Sequence, residues 1–516
     1  MSTIFSEDHP AYPIVITTNV ILTTFLVILA VVVTMIAYPS IQGDLALSDT
    51  QSIWLTTLNL LGANLAVPCA SWFGSSFGFK RMYTYSVILF TLASLLAALA
   101  NNFFVLASAR LIEGIGGGFI FPLGLTLIIQ SLSKARIPLG INLYVMGVFG
   151  VGLGFGIPLA GYLTQFESWR DAFFLIVPIS SLTAISCWLT RAKAPLLERK
   201  PFDWFGFLTF SFFTCTFLIA LTMGPIPATD SGWHTPYIWA FFTIAAISLI
   251  ACIFIERRHP DPIFPIQLFK DPIFSVSLIA MFLLGMATFA SVSTSIQYML
   301  NGLFYEKFVT AKIAAVYGIM IGIISVLANY LSKLIPIPVF TCTGLLLLTF
   351  SYFYNNELSI LTGPSQVIAI LIVRGIGVGL ALGPTTLLAL YGIPNELKSQ
   401  AATIVTFFRQ VGATYGGTLI SIISIRQTIF HTARFGEQAN GQLPAYKMTF
   451  HNLYNKFPDP TLAKAAIIQN IKTQAYIQGL NDAFIAFGYV TAAVTLILIL
   501  LIGWRTWTSY LEKRMR

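Results

Sequence analysis

Fourteen apolar runs of membrane-spanning length dominate this chain, at about 17–38, 52–73, 82–101, 104–130, 138–163, 170–190, 203–223, 236–255, 273–297, 311–331, 336–355, 363–391, 399–424 and 481–503. A helix of about 20 apolar residues crosses the hydrocarbon core of a bilayer. In lipid every backbone N–H and C=O must be bonded within the protein, so such runs are helices. The short alternating segments of a β-barrel do not occur. The chain reads as an all-α polytopic membrane protein with 14 transmembrane helices. Only 9% of its residues are charged, against about 25% in soluble proteins. That excludes a soluble enzyme, a disordered chain and a nucleic-acid binder.

Basic residues fix the expected orientation. Seventeen fall in alternate loops and the tail: Lys80, Arg81, Lys134, Arg136, Arg191, Lys193, Arg199, Lys200, Arg257, Arg258, Lys270, Lys333, Lys398, Arg505, Lys513, Arg514 and Arg516. The opposite short loops hold only Arg170, Lys307 and Lys312. The positive-inside rule then puts both termini in the cytoplasm of a multi-pass protein of the inner (plasma) membrane. It also accounts for most of the net charge of +9. The segment at about 425–480 is expected outside. Its stretch 462–476 has the pattern of an amphipathic helix, lying on the protein or membrane surface or docking a periplasmic adaptor protein.

Two distant segments look alike. Glu113-Gly-Ile-Gly-Gly-Gly-Phe-Ile-Phe-Pro122 in the fourth run aligns with Arg374-Gly-Ile-Gly-Val-Gly-Leu-Ala-Leu-Gly383 in the twelfth. If the seventh and eighth runs are an insertion, the chain divides into an N-terminal six-helix half (1–195), two inserted helices (196–262) and a C-terminal six-helix half (263–516). Parallel repeats of this kind mark secondary transporters, which bind substrate near the midplane between the repeats. Chance similarity of two glycine-rich helices is the plain alternative. Glycine pairs four apart, such as Gly150/Gly154, Gly152/Gly156 and Gly412/Gly416, indicate closely packed helices. The five cysteines show no CxxC spacing and no GxxxxGK[ST] run occurs, so neither a metal site nor ATP-driven transport is expected.

Four ionisable residues lie well inside the runs: Arg110, Glu113, Arg374 and Arg409. Each costs at least about 2.5–3.5 kcal/mol in lipid, so each is a functional candidate. Arg110 and Glu113 are three residues apart on one helical face. They suit a proton site in which Arg110 tunes Glu113; a structural ion pair is the alternative. Arg374, Arg409 and Gln410 are candidates for substrate contact, with capping of backbone carbonyls as the alternative. The intramembrane charge of +2 leans toward anionic or zwitterionic amphiphilic substrates.

These residues together resemble the major facilitator superfamily, in its fourteen-span drug:proton antiporter branch of EmrB/QacA type, over nearly the whole chain. Arg110-Leu-Ile-Glu-Gly-Ile-Gly-Gly-Gly118 is similar to the span-4 motif RxxQGxGxG, whose Arg serves proton transfer. Gly150-Val-Gly-Leu-Gly-Phe-Gly-Ile-Pro-Leu-Ala-Gly161 resembles the span-5 antiporter motif, with Gly152, Gly156, Pro158 and Gly161 in it. Trp169-Arg-Asp-Ala-Phe-Phe is similar to the start of span 6, and Phe408-Arg-Gln-Val-Gly412 to the span-13 RQxG. Asp203-Trp-Phe-Gly206 and Glu256-Arg-Arg-His-Pro-Asp-Pro-Ile263 resemble the segments flanking the two extra helices. In the span 2–3 loop motif GxLaDRxGRK, Gly78, Lys80 and Arg81 remain, while Ser75 and Ser76 replace Asp and Arg. The span-1 acid of the branch is Ala30 here, and its span-4 Gln is Glu113.

The resemblance implies a major facilitator fold and a secondary active transporter, not an enzyme. The expected activity is proton-coupled antiport, exporting amphiphilic small molecules by alternating access. The expected partners are protons, a small-molecule substrate and membrane lipid, with the proton gradient as the energy source and no cofactor. A dedicated exporter of one metabolite, such as a siderophore-like molecule, and a proton-symport uptake permease are the alternatives. The missing span-1 acid makes Glu113 the place to look for a relocated proton site.

Overall fold

The computed structural model describes residues 11–190, 201–224, 235–259, 262–332, 334–439, 444–456 and 459–515. The expected boundary at 195–196 and the basic residues Arg191, Lys193, Arg199, Lys200, Lys333 and Arg516 lie outside them. Among the described residues there are helices and turns and no strand. The α-helices run α1 Tyr12–Asp44, α2 Asp49–Phe77, α3 Phe79–Ala98, α4 Phe103–Ser131, α5 Ile137–Val145, α6 Gly152–Phe166, α7 Trp169–Leu189, α8 Trp204–Met223 and α9 Pro236–Arg258. They continue with α10 Pro272–Gln297, α11 Lys307–Leu331, α12 Ile337–Tyr354, α13 Pro364–Leu390, α14 Lys398–Gln438, α15 Pro444–Lys456 and α16 Pro460–Met515. A π-helical turn, Met146–Val151, joins α5 to α6.

Thirteen of the described helices are long and apolar enough to cross a membrane, α5, the π turn and α6 counting as one. The expected span at 399–424 is the first part of α14. That helix is long enough but falls short in apolarity, because Arg409, Gln410 and interspersed Thr, Ser and Gly dilute it.

Packing follows one pattern twice. α4 packs on α2 and α3, α3 on α7, and α1 on α4, α6 and α7. Likewise α13 packs on α11 and α12, α12 on α16, and α10 on α13, α14 and α16. The two sets meet where α6 crosses α11 and where α2 and α4 meet α14. At the first crossing Gly154 lies against Gly318 and Gly150 against Gly322, where a Cβ would strike backbone. Small residues let helices approach this closely. Gly78 alone links α2 to α3 at φ +91°, a conformation that a Cβ disfavours.

The segment 425–480 departs from expectation. It is largely helical extension of its neighbours, with the short separate helix α15 between them. α14 continues to Gln438, and α16 carries the stretch 462–476 and the last apolar run in one helix. The extensions pack on each other: Gly479 of α16 lies against the Ser424 carbonyl, and His431 Nε2 lies 2.7 Å from Asp482 Oδ2. The inserted helices α8 and α9 pack together, and α8 also touches α2 and α14.

Candidate functional site

One helical turn brings Arg110 and Glu113 of α4 into an ion pair, and each is 1% exposed. Four neighbouring helices close around them. Ser94 of α3 donates its hydroxyl to Glu113 Oε1 at 2.8 Å. Arg110 Nη1 also reaches the Ala30 carbonyl of α1 at 3.4 Å, and the guanidinium lies 5.8 Å from the centre of the Phe173 ring of α7. Asn59 of α2 donates to the Arg110 carbonyl at 3.1 Å, beside Gly114, where any Cβ would strike the Asn59 backbone. Among the described residues Arg110 Nε has no partner. The guanidinium therefore faces the backbone of the residue that replaces the span-1 acid. The compensating carboxylate comes from its own helix.

A burial of this kind is stable only while both charges stay together. Desolvating two ions costs several kcal/mol each, and their attraction and hydrogen bonds offset that loss only as a pair. A proton on Glu113 removes one charge and leaves the other buried.

Arg409 of α14 sits elsewhere, where the two helical sets meet. Its guanidinium lies 5.5 Å from the Phe121 ring of α4 and 5.0 Å from Phe149 in the π turn. With Tyr144, Met281, Leu382 and Thr386 it lines a cavity of about 10 Å³, room for roughly one water. Among the described residues Arg409 Nη2 has no partner there. Gln410 is buried beside it in sequence.

Arg374 does not join Arg409. It is 0% exposed within the second set of helices, donating to Ser351 Oγ of α12 (3.4 Å) and Ser295 Oγ of α10 (3.3 Å). Tyr352 and Phe484 present their rings at 5.1 and 4.8 Å, and Nη2 is unpartnered.

The remaining candidates occupy helix contacts. Gly152 and Gly156 face Ile28 and Leu29 of α1, Gly161 faces Ala311 of α11, and Pro158 is inside α6. Lys80 and Arg81 lie in the first turn of α3, after Gly78. Contacts at both ends close the space between the sets. At one end Lys307 donates to Ser40 Oγ (2.7 Å), and Gln165 bonds Glu306 (3.3 Å) and the Phe308 amide (2.8 Å). At the other, the Asn142 side chain of α5 fills the space over Gly383 of α13. The sequence did not single out Ser94, Asn59 or Tyr144; one polar residue in an apolar run carries no signal until its neighbour helix is known.

The family profile described as Major Facilitator Superfamily matches residues 20–255. The uncharacterized MFS-type transporter YhcA of Bacillus subtilis is 25% identical across 89% of this chain and 87% of its own. The multidrug export protein EmrB of Haemophilus influenzae is 23% identical across 91% of this chain and 92% of its own. By these matches the chain is similar to the major facilitator superfamily. The multidrug transporter protein MdtP of Bacillus subtilis is 25% identical across 75% of this chain and 71% of its own. The fold agrees. A POT family transporter in complex with a thioalcohol-conjugated peptide superposes with a TM-score of 0.61 over 96% of each chain at 16% identity. A bacterial homolog of the human lysosomal transporter Spinster, inward-facing and occupied, gives 0.58 over 96% of this chain and 97% of its own at 15% identity. The protein is thus a multi-pass transporter of the plasma membrane.

Proposed function

We propose that this transporter is a proton-coupled antiporter that exports amphiphilic small molecules by alternating access. The sealed Arg110–Glu113 pair carries the reading. In it Glu113 binds and releases the coupling proton. Protonation breaks the ion pair and strands the guanidinium, which biases the contact between the six-helix halves toward rearrangement. The halves are taken as 1–195 and 263–516 around the inserted helices of 196–262, with fourteen spans and both termini cytoplasmic. Substrate occupies the space between the halves, expanded from the present small cavity, with Arg409 as the contact for an anionic or zwitterionic group. Arg374, enclosed in the second half, acts by holding α10, α12 and α13 together. The relative named multidrug export protein EmrB supports the direction of transport. The outer extensions pair with each other, and the proposal needs no adaptor protein.

The test is efflux of anionic, zwitterionic and cationic dyes from pump-deficient bacteria, with and without a protonophore. Wild type is expected to show uncoupler-sensitive export of anionic or zwitterionic dyes. The Glu113→Gln variant is expected to insert normally and lose it, by at least about tenfold, a barrier change of about 1.4 kcal/mol. Unchanged uncoupler-sensitive export by Glu113→Gln overturns the assignment of Glu113.

A further inference from the structure

The inserted helices hold two carboxylates that the transport proposal does not use. Asp203 caps α8, its Oδ1 accepting from the Gly206 amide at 2.8 Å, and Glu256 lies in the last turn of α9, its Oε2 accepting from the Phe264 amide at 3.1 Å. They are 2% and 5% exposed. Each keeps a second oxygen, Asp203 Oδ2 and Glu256 Oε1, that is buried without a partner. Both of these oxygens border one point: the position of a Cβ on Gly206 would touch Asp203 Oδ2 and lie 3.0 Å from Glu256 Oε1. The absent side chain of Gly206 leaves the two oxygens bordering the same small space.

The described surroundings are mostly apolar. Cys252 of α9 directs its thiol at the Gly206 carbonyl (3.9 Å). α2 contributes Val67, α14 contributes Phe407 and Phe408, and the approach to α10 contributes Phe264. Arg257 and Tyr415 line the adjoining aromatic groove with Glu256, and among the described residues no basic side chain pairs with either carboxylate. Two unpaired negative charges this close and this buried repel each other and lose their hydration together. One proton placed in the space that both oxygens border resolves both problems, turning one carboxylate into a donor for the other.

We infer that Asp203 and Glu256 hold a single proton between them, a proton-binding site in the inserted helices separate from the Arg110–Glu113 pair. The shared proton joins the start of α8 to the end of α9. Through the Phe264 amide it also ties both to the segment entering α10, so the inserted pair and the second half are fastened at one end.

The experiment uses the purified full chain carrying Glu113→Gln, so the result does not depend on whether Glu113 is the coupling site. Infrared spectra are recorded near neutral pH with Glu256 intact and with Glu256→Gln added. The expected result is one protonated-carboxyl band that disappears in Glu256→Gln and likewise in Asp203→Asn, where Asn still caps α8. Melting temperature supplies the second readout and needs no further variant. The native state holds a proton that the unfolded chain releases near neutrality, so stability falls as pH rises. The expected decline is roughly 1 °C per pH unit from about pH 5 up to the pH at which the native pair releases its proton, levelling off above it, and it is absent once Glu256→Gln fills the proton's place with an amide. A missing band, a band that persists in both variants, or a melting temperature at alkaline pH that rises with added sodium or potassium overturns the shared proton, the last by replacing it with a metal cation.

Discussion

Glu113 and Arg374 occupy aligned places in two sets of helices that pack alike, yet one is an acid and the other a base. Each is deep in the middle of its bundle and each meets a serine from the preceding helix of the set, Ser94 for Glu113 and Ser351 for Arg374. The acid has an opposite charge one turn away. The base has hydroxyls and two aromatic faces instead. A repeated scaffold therefore does not repeat its chemistry. The first half carries a group that can gain and lose a proton, and the second carries a charge that stays fixed, because a guanidinium remains protonated in proteins.

The strongest challenge to that contrast removes one arginine from each half. Arg110→Met strands the Glu113 carboxylate and is expected to destabilise the protein by about 3–5 kcal/mol. Arg374→Met strands no carboxylate and loses two hydrogen bonds to a charged donor, so roughly 1–3 kcal/mol is expected. Thermal unfolding of the two variants in one detergent decides it; equal losses would mean that Arg374 has an acidic partner in function. A second comparison tests the sameness of the scaffold. Gly114→Ala meets the Asn59 backbone, and Gly375→Ala meets the Tyr317 carbonyl and the Met320 side chain. Overpacking of this kind costs about 1–3 kcal/mol, and similar losses are expected at both sites in the same assay. The finest comparison is between the serines. Ser94→Ala breaks a 2.8 Å bond to a carboxylate and should cost more than Ser351→Ala, which breaks one of 3.4 Å. The expected difference is about 1 kcal/mol, from the range for hydrogen bonds to charged groups.

Legibility in the sequence tracks the distance over which each feature is encoded. Thirteen of the spans and the pairing of Arg110 with Glu113 depend on neighbours within a turn or on a period, and both could be read. Asp203 and Glu256 are separated by most of two helices and sit at run ends, where a carboxylate passes for a cap or a solvated flank. Only the packing of α8 on α9 brings their oxygens together. The split between Arg374 and Arg409 was hidden for a related reason: sequence gives depth along each helix but not which face meets the other half. The unbroken α16 was missed because Gly479, Asn481 and Asp482 imitate a break before the last apolar run. The helix continues through them because Gly479 admits the α14 backbone and Asp482 meets His431.

That unbroken helix is a pointer. Its 56 residues extend about 84 Å at 1.5 Å per residue, against about 30 Å of hydrocarbon. Its first 20 or so residues, bound side by side to the end of α14, project roughly 30 Å beyond the last apolar run. A tilt of the second bundle too small to resolve at Arg409 sweeps the tip of α16 through a much larger arc. A pair of labels, one near that tip and one on the end of α7, would convert the proposed rocking of the halves into a distance large enough to measure one molecule at a time.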